Sequence, residues 1–144
     1  MTGRIVGVRE RVHQLTEYTT GLASRLVTST DSRVLDELDR RLSDLAGVAL
    51  AELGTTSGAE VAASLTELGI RGDHSTTGNP VAVYLARTLS APEAVVRGGI
   101  SAVLSYTLPN GDGRSVEDIT VPSALEEFFT GFTAGRYPQL EMAP

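Results

Sequence analysis

Residues 71 to 79 form the segment of this sequence richest in chemically competent side chains, with Arg71, Asp73 and His74 followed by several hydroxyl residues. An aspartate beside a histidine is the pair that acid–base catalysis or a metal site would use. The second histidine, His13, lies beside the apolar stripe of a predicted helix, at a position expected to face solvent. Because a metal ion needs further ligands, we predict no metal site and expect both histidines to be solvated.

The same segment supports one functional alternative. A pocket bordered by the 71–79 loop, with Arg71, Asp73, His74 and Tyr84, would suit a small-ligand binder or a hydrolase-like enzyme. No serine lies in a G-x-S-x-G motif, and the nearest match, residues 99–103, has valine in place of the second glycine. We therefore assign no catalytic residue and favour a non-catalytic protein.

Cysteine and lysine are among the residue types missing from the chain. There is no cysteine, and all 12 basic residues are arginines. Thiolate zinc sites, cysteine nucleophiles, Walker A lysines and Schiff-base lysines are thereby excluded. No G-x-G-x-x-G loop joins a strand to a helix, so we predict no cofactor. The lack of lysine, whose codons are AT-rich, indicates a GC-rich bacterial genome.

Charge is distributed unevenly along the chain, whose formal net charge is -6. Acidic residues outnumber arginines in residues 31–60 and again in residues 115–144. Nucleic acid is an improbable partner, because phosphate binding requires a concentrated basic face. A basic protein partner fits this charge balance better.

Length and hydropathy predict a single domain over residues 1–144. Apolar residues make up 41% of the chain, and no apolar run approaches the roughly 20 residues needed to span a bilayer. The first residues lack the apolar segment of a signal peptide. We therefore expect a cytoplasmic protein without membrane contact.

Residues 1–56 carry two apolar stripes at helical spacing, which predict helices at about 4–27 and 31–53 joined as an antiparallel hairpin. On the second helix the stripe includes Leu35, Leu38, Leu42 and Leu45. A stripe of this kind can bury against the chain's own core or against a partner. We therefore name these leucines as candidate interface residues and a homodimer through the hairpin as a candidate assembly.

The remaining sequence predicts an α+β fold, with the helical hairpin, two shorter helices, a three-stranded antiparallel meander and a C-terminal helix. The two short helices fall within 57–90, where Ser57 and Asn79 are predicted N-caps. Alternating residues in 93–136 predict strands at 94–97, 100–108 and 116–121, with a Gly98-Gly99 turn. Ser123 is predicted to cap the last helix, and residues 137–144 to form a loosely held tail.

One motif in that tail supports a further alternative. Tyr137 and Glu141 fit a Y-x-x-x-[DE] pattern, which resembles the pattern of type VII secretion substrates, proteins that also contain a helical hairpin. The W-x-G turn of those substrates is absent here, since the chain has no tryptophan. Our main expectation is therefore a non-catalytic protein–protein interaction module of adaptor, immunity or regulatory-partner type, with secretion-like cargo as an alternative.

Overall fold

Helices occupy both ends of the chain and flank a three-stranded antiparallel sheet, which confirms the predicted α+β fold. The protein is seen here in a computed structural model that describes residues 7–142. The elements in chain order are α1 (Val8–Thr28), α2 (Ser32–Leu53), α3 (Gly58–Glu67), α4 (Pro80–Thr88), β1 (Glu93–Arg97), β2 (Ser101–Thr107), β3 (Gly113–Val116), α5 (Ala124–Thr133) and a 3-10 turn (Pro138–Leu140).

Helices α1 and α2 pack as the predicted hairpin. Asp31 caps α2 by accepting a hydrogen bond from the N–H of Arg33 at 2.9 Å, and Gly54 follows its last turn. Residues 4 to 6 of the predicted first helix lie outside the described residues. Among the described residues, no helix is both long enough and apolar enough to cross a membrane.

The caps of α3 and α4 follow the sequence closely. The Ser57 hydroxyl accepts from the N–H of Glu60 at 3.1 Å, and the Asn79 side chain accepts from the N–H of Ala82 at 2.8 Å. Pro80 occupies the first turn of α4, where its missing N–H costs nothing. Helix α4 packs against β1 and β2 of the sheet.

The sheet has the order β1-β2-β3, and alternate residues of its strands face the core. Val95 pairs with Val103 and Leu104 with Val116. The predicted inward position of Ile100 is wrong, since this side chain is 86% exposed. The turn spans Gly98 to Ile100 instead of two glycines, and this places Ile100 at its tip.

Strand β3 lies earlier than predicted, at Gly113–Val116 instead of 116–121. A hydrogen bond from the N–H of Leu108 to the carbonyl of Asp112 (2.8 Å) closes the hairpin and sets this register. Asp118 has a φ of 61°, a left-handed conformation that ends extended pairing. Glu117 and Asp118 therefore lie beyond the strand and not within it.

The C-terminal segment is held more firmly than predicted. Leu140 is fully buried, and the Tyr137 ring stacks on Phe128 with centroids 5.5 Å apart. Gly72 donates its N–H to the carbonyl of Leu140 at 2.8 Å, so the segment is tied to the 71–79 loop. The prediction of a loose tail is wrong for residues 137–142, whereas 143 and 144 lie outside the described residues. Ser123 also makes no side-chain capping bond to α5.

Candidate functional site

The 71–79 loop is organised by Asp73. Its Oδ1 accepts from the backbone N–H of Ser75 at 2.8 Å and from the Ser75 hydroxyl at 2.5 Å. These bonds, led by the hydroxyl, hold the pKa of the Asp73 carboxyl below its ordinary value, with a smaller contribution from His74. Asp73 therefore serves as the internal brace of an Asx-type turn.

His74 is held between an aromatic ring and a carboxylate. Its ring stacks on Phe132 with centroids 4.4 Å apart, and its Nε2 lies 2.9 Å from Glu141 Oε1. Half of the His74 side chain remains exposed, whereas His13 is largely solvated beside Glu17. Ser75 and His74 thus bind different carboxylates, an arrangement that stabilises the loop and does not align a nucleophile with a base.

A small cleft of about 180 Å³ opens beside His74, between the loop, the β1–β2 hairpin and α5. Asn79 forms part of its wall and is almost fully buried. The Asn79 amide donates to the carbonyls of Ser75 (3.0 Å) and Val96 (3.1 Å), so the loop is fastened to β1. The side chains of His74, Ser75 and Asn79 in this cleft are therefore bonded to the protein itself.

One of the four predicted ligand-binding residues, Tyr84, lies apart from the other three. Arg71 is exposed beside Asp73 and His74, but Tyr84 is fully buried in α4. The Tyr84 hydroxyl donates to the carbonyl of Ala49, and burial raises the pKa of the phenol well above its ordinary value. Tyr84 is thus a core residue, and its assignment to a ligand site is corrected.

The predicted interface leucines are also part of the core. Leu35, Leu38 and Leu42 are buried within the chain, and Leu45 packs partly buried against the same cluster. Their apolar surface is used by the contacts of α2 with its own domain and is not exposed to a second molecule. Their assignment to a partner interface is therefore corrected, because the stripe supplies the hydrophobic core.

A larger groove of about 460 Å³ lies between α2 and the segment from β3 to the β3–α5 loop, and we call it the acidic groove. Five carboxylate residues and a single arginine line it, together with Ser43 and Ser115. The charged lining residues are Asp36, Asp39, Arg40, Asp44, Glu117 and Asp118. Within residues 7–142 there is no group of three or more His, Asp or Glu side chains arranged to hold a metal ion.

Arg114 neutralises one end of the acidic groove. Its guanidinium lies 2.7 Å from Asp39 Oδ2 and 2.9 Å from Asp36 Oδ1, and these two carboxylates raise its pKa, with Asp39 the larger cause. The second oxygen of Asp39, Oδ1, is buried without a hydrogen-bond partner in the described chain. The other carboxylate residues that line the groove, Asp44, Glu117 and Asp118, are exposed beside this paired end.

The free edge of β3 borders the acidic groove. In an antiparallel strand the backbone groups of successive residues alternate between the two edges. The Ser43 hydroxyl donates to the carbonyl of Glu117 at 2.7 Å from outside the sheet. The backbone N–H and C=O groups of the odd-numbered residues here therefore point away from β2. Gly113 and Ser115 share that direction, and within residues 7–142 no hydrogen bond from another element reaches their backbone groups.

Sequence reasoning did not locate the acidic groove. A strand over 116–121 would place Glu117 and Asp118 on opposite faces of the sheet, whereas both line the groove. The available signal was the acidic excess in residues 31–60 and in residues 115–144. Only the tertiary fold shows that these two stretches meet.

Comparison with protein-family models, curated protein sequences and solved structures yields no match for this chain. Its function is therefore argued from geometry and charge.

Proposed function

We propose that this protein is a non-catalytic protein–protein interaction module, and that it binds a basic partner in the cytoplasm through the acidic groove. The observation that carries the proposal is the convergence of Asp36, Asp39, Asp44, Glu117 and Asp118 beside a strand edge with unpaired backbone groups. A surface of this kind attracts a cationic partner from a distance and orients it on contact.

The rest of the molecule supports interaction over catalysis. The histidine that catalysis would use is bound to Glu141 and stacked on Phe132. Asp73 braces its own loop, and Tyr84 lies in the core. Asp44, Glu117 and Asp118, by contrast, line the acidic groove together with one arginine, Arg40, among the described residues.

The partner that fits this surface presents arginine or lysine side chains. Arginine is favoured, because its planar guanidinium can pair with a carboxylate through two hydrogen bonds. A second copy of this chain fits less well, since its own net charge is -6 and the leucine stripe is buried. The partner is therefore a different, basic protein.

Selection from a random peptide display library tests the proposal. Peptides that bind the full chain are expected to be rich in arginine and lysine and to lose affinity as salt rises. Asp44→Asn with Asp118→Asn should weaken them about three- to tenfold, since each exposed pair contributes up to about 1 kcal/mol. Asparagine tolerates the left-handed conformation of Asp118, so the fold is retained.

Glu93→Gln is the matched control, because it removes a carboxylate from β1 at the opposite edge of the sheet. It should leave peptide affinity unchanged. Selected peptides without a basic excess, or equal binding to the double variant and the wild type, would refute the proposed function.

A further inference from the structure

We propose that the basic partner binds as an extended segment that adds a fourth strand to the free edge of β3. This inference rests on the proposed function and names the binding mode at the same groove. An added strand would hydrogen-bond to the backbone N–H and C=O groups of Gly113 and Ser115, which point away from β2.

The opposite edge of the sheet is already bonded to another part of the chain at Val96. On β1, Val96 donates its N–H to the carbonyl of Thr76 at 2.8 Å, and its own carbonyl accepts from the Asn79 amide. The 71–79 loop thus covers that edge as a protein normally protects an exposed strand. In the part of the chain that the structure describes, such cover at β3 is limited to the Ser43 bond at Glu117, just beyond the strand.

The space and charge beside β3 identify the occupant. A strand added at the usual spacing of about 4.8 Å would lie in the acidic groove, between Ser115 and the α2 residues that line it. Its side chains alternate between two faces, so a basic residue on the face toward α2 can reach the exposed carboxylate of Asp44. The structure therefore points to a short extended segment with basic residues at alternate positions.

A synthetic heptapeptide of alternating valine and arginine is the probe for this binding mode. Bound to the full chain, it should slow amide hydrogen exchange at Ser115 at least tenfold while leaving exchange at Val96 unchanged. The same peptide with N-methyl groups on alternate residues keeps its charge and side chains but cannot form the ladder. It should bind at least tenfold more weakly.

Ser115→Pro provides an independent test in the protein. Proline removes the edge N–H and is tolerated on edge strands where that group faces solvent. The variant should bind the peptide at least fivefold more weakly, whereas Ser115→Ala, which removes only the hydroxyl, should bind as the wild type does. Circular dichroism confirms that both variants fold, and the N-methylated peptide tests the inference without any substitution.

Two failures are distinguishable. If the arginine peptide binds, responds to Asp44→Asn and tolerates N-methylation, strand addition is wrong and the proposed function stands. If neither this peptide nor any basic peptide binds, both the binding mode and the proposed function are wrong.

Discussion

The cleft beside His74 and the acidic groove beside β3 lie at opposite edges of the sheet. Their polar groups differ in how far they are hydrogen-bonded within the protein. In the cleft, Asp73 bonds Ser75, His74 bonds Glu141, and Asn79 fastens the loop to β1. In the groove, Asp39 Oδ1 has no partner in the described chain, and Asp44, Glu117 and Asp118 add three exposed carboxylates. The polar groups named in the cleft have hydrogen-bond partners within the protein, whereas the groove contains a buried carboxylate oxygen without one among residues 7–142.

This difference distinguishes polar residues that stabilise the fold from polar residues that are available to bind a partner. Hydrogen bonds that close within the fold stabilise it, since a buried polar group without a partner is costly. Like charges held together destabilise the free protein and are relieved by an incoming cation. A segment with attractive chemistry, such as Arg71-Gly72-Asp73-His74, can therefore be mainly structural, while residues that looked ordinary form the binding surface.

The largest expected effect is a loss of stability when the buried side of α2 is altered, in contrast to its groove side. Leu42 is fully buried, so Leu42→Ala should lower the free energy of unfolding by about 2–5 kcal/mol. Asp44→Asn, two residues later on the groove side, should change it by less than about 0.5 kcal/mol. Urea denaturation of both variants measures this. A small loss of unfolding free energy for Leu42→Ala would mean that the leucine stripe of α2 is not part of the core. The stripe would then again be a candidate interface.

Substitutions of Asn79 test whether the polar residues of the cleft serve to stabilise the fold. Asn79→Ala removes the α4 cap and leaves the Val96 carbonyl without its donor, so it should cost about 1–3 kcal/mol of stability. Asn79→Ser keeps a capping oxygen and should cost less. Thermal unfolding gives the ranking, and basic-peptide affinity should stay unchanged in both variants. Loss of peptide binding in the folded Asn79→Ser protein would show that the two regions are coupled.

The smallest effect concerns the pH response of the loop. A carboxyl with a lowered folded pKa stabilises the protein above its ordinary pKa, and this contribution is lost as pH falls through the folded pKa. The Asp73 carboxyl should therefore titrate below its ordinary pKa of 3.8 in an NMR titration, and protonation should loosen the turn. Ser75→Ala should return its pKa toward 3.8. An Asp73 pKa at or above 3.8 in the wild type would show that the turn is not braced.

Local signals predicted most of the fold. Ser57 and Asn79 are predictable as caps because a capping side chain bonds to a backbone group only three residues away. Strand β3 was misplaced because its register depends on the Leu108–Asp112 hydrogen bond across the turn. Ser123 has a capping sequence but no capping side-chain bond, since its own backbone is helical.

The candidate site was far less predictable. The distinction between core and interface for Leu42 depends on which element lies opposite α2, and helical periodicity is the same in both cases. Ile100 was placed inward because alternation was extended one residue too far. Gly99 approaches the backbone of α5 so closely that an added Cβ would lie 2.5 Å from Glu126 Cα, and this contact holds the turn with Ile100 outward.

By itself, the sequence determined which residues form helices, where most of them begin, and which chemistries are absent, because these properties depend on neighbours along the chain or on composition. The tertiary structure alone decided that α2 and the segment after β3 bring their acidic residues together, and that one sheet edge is covered while the other is open. Those properties arise from contacts between residues more than 70 positions apart, such as Ser43 with Glu117 and Asp39 with Arg114. Local patterns carry no information on such distant pairings, so the candidate binding surface emerged only from the fold.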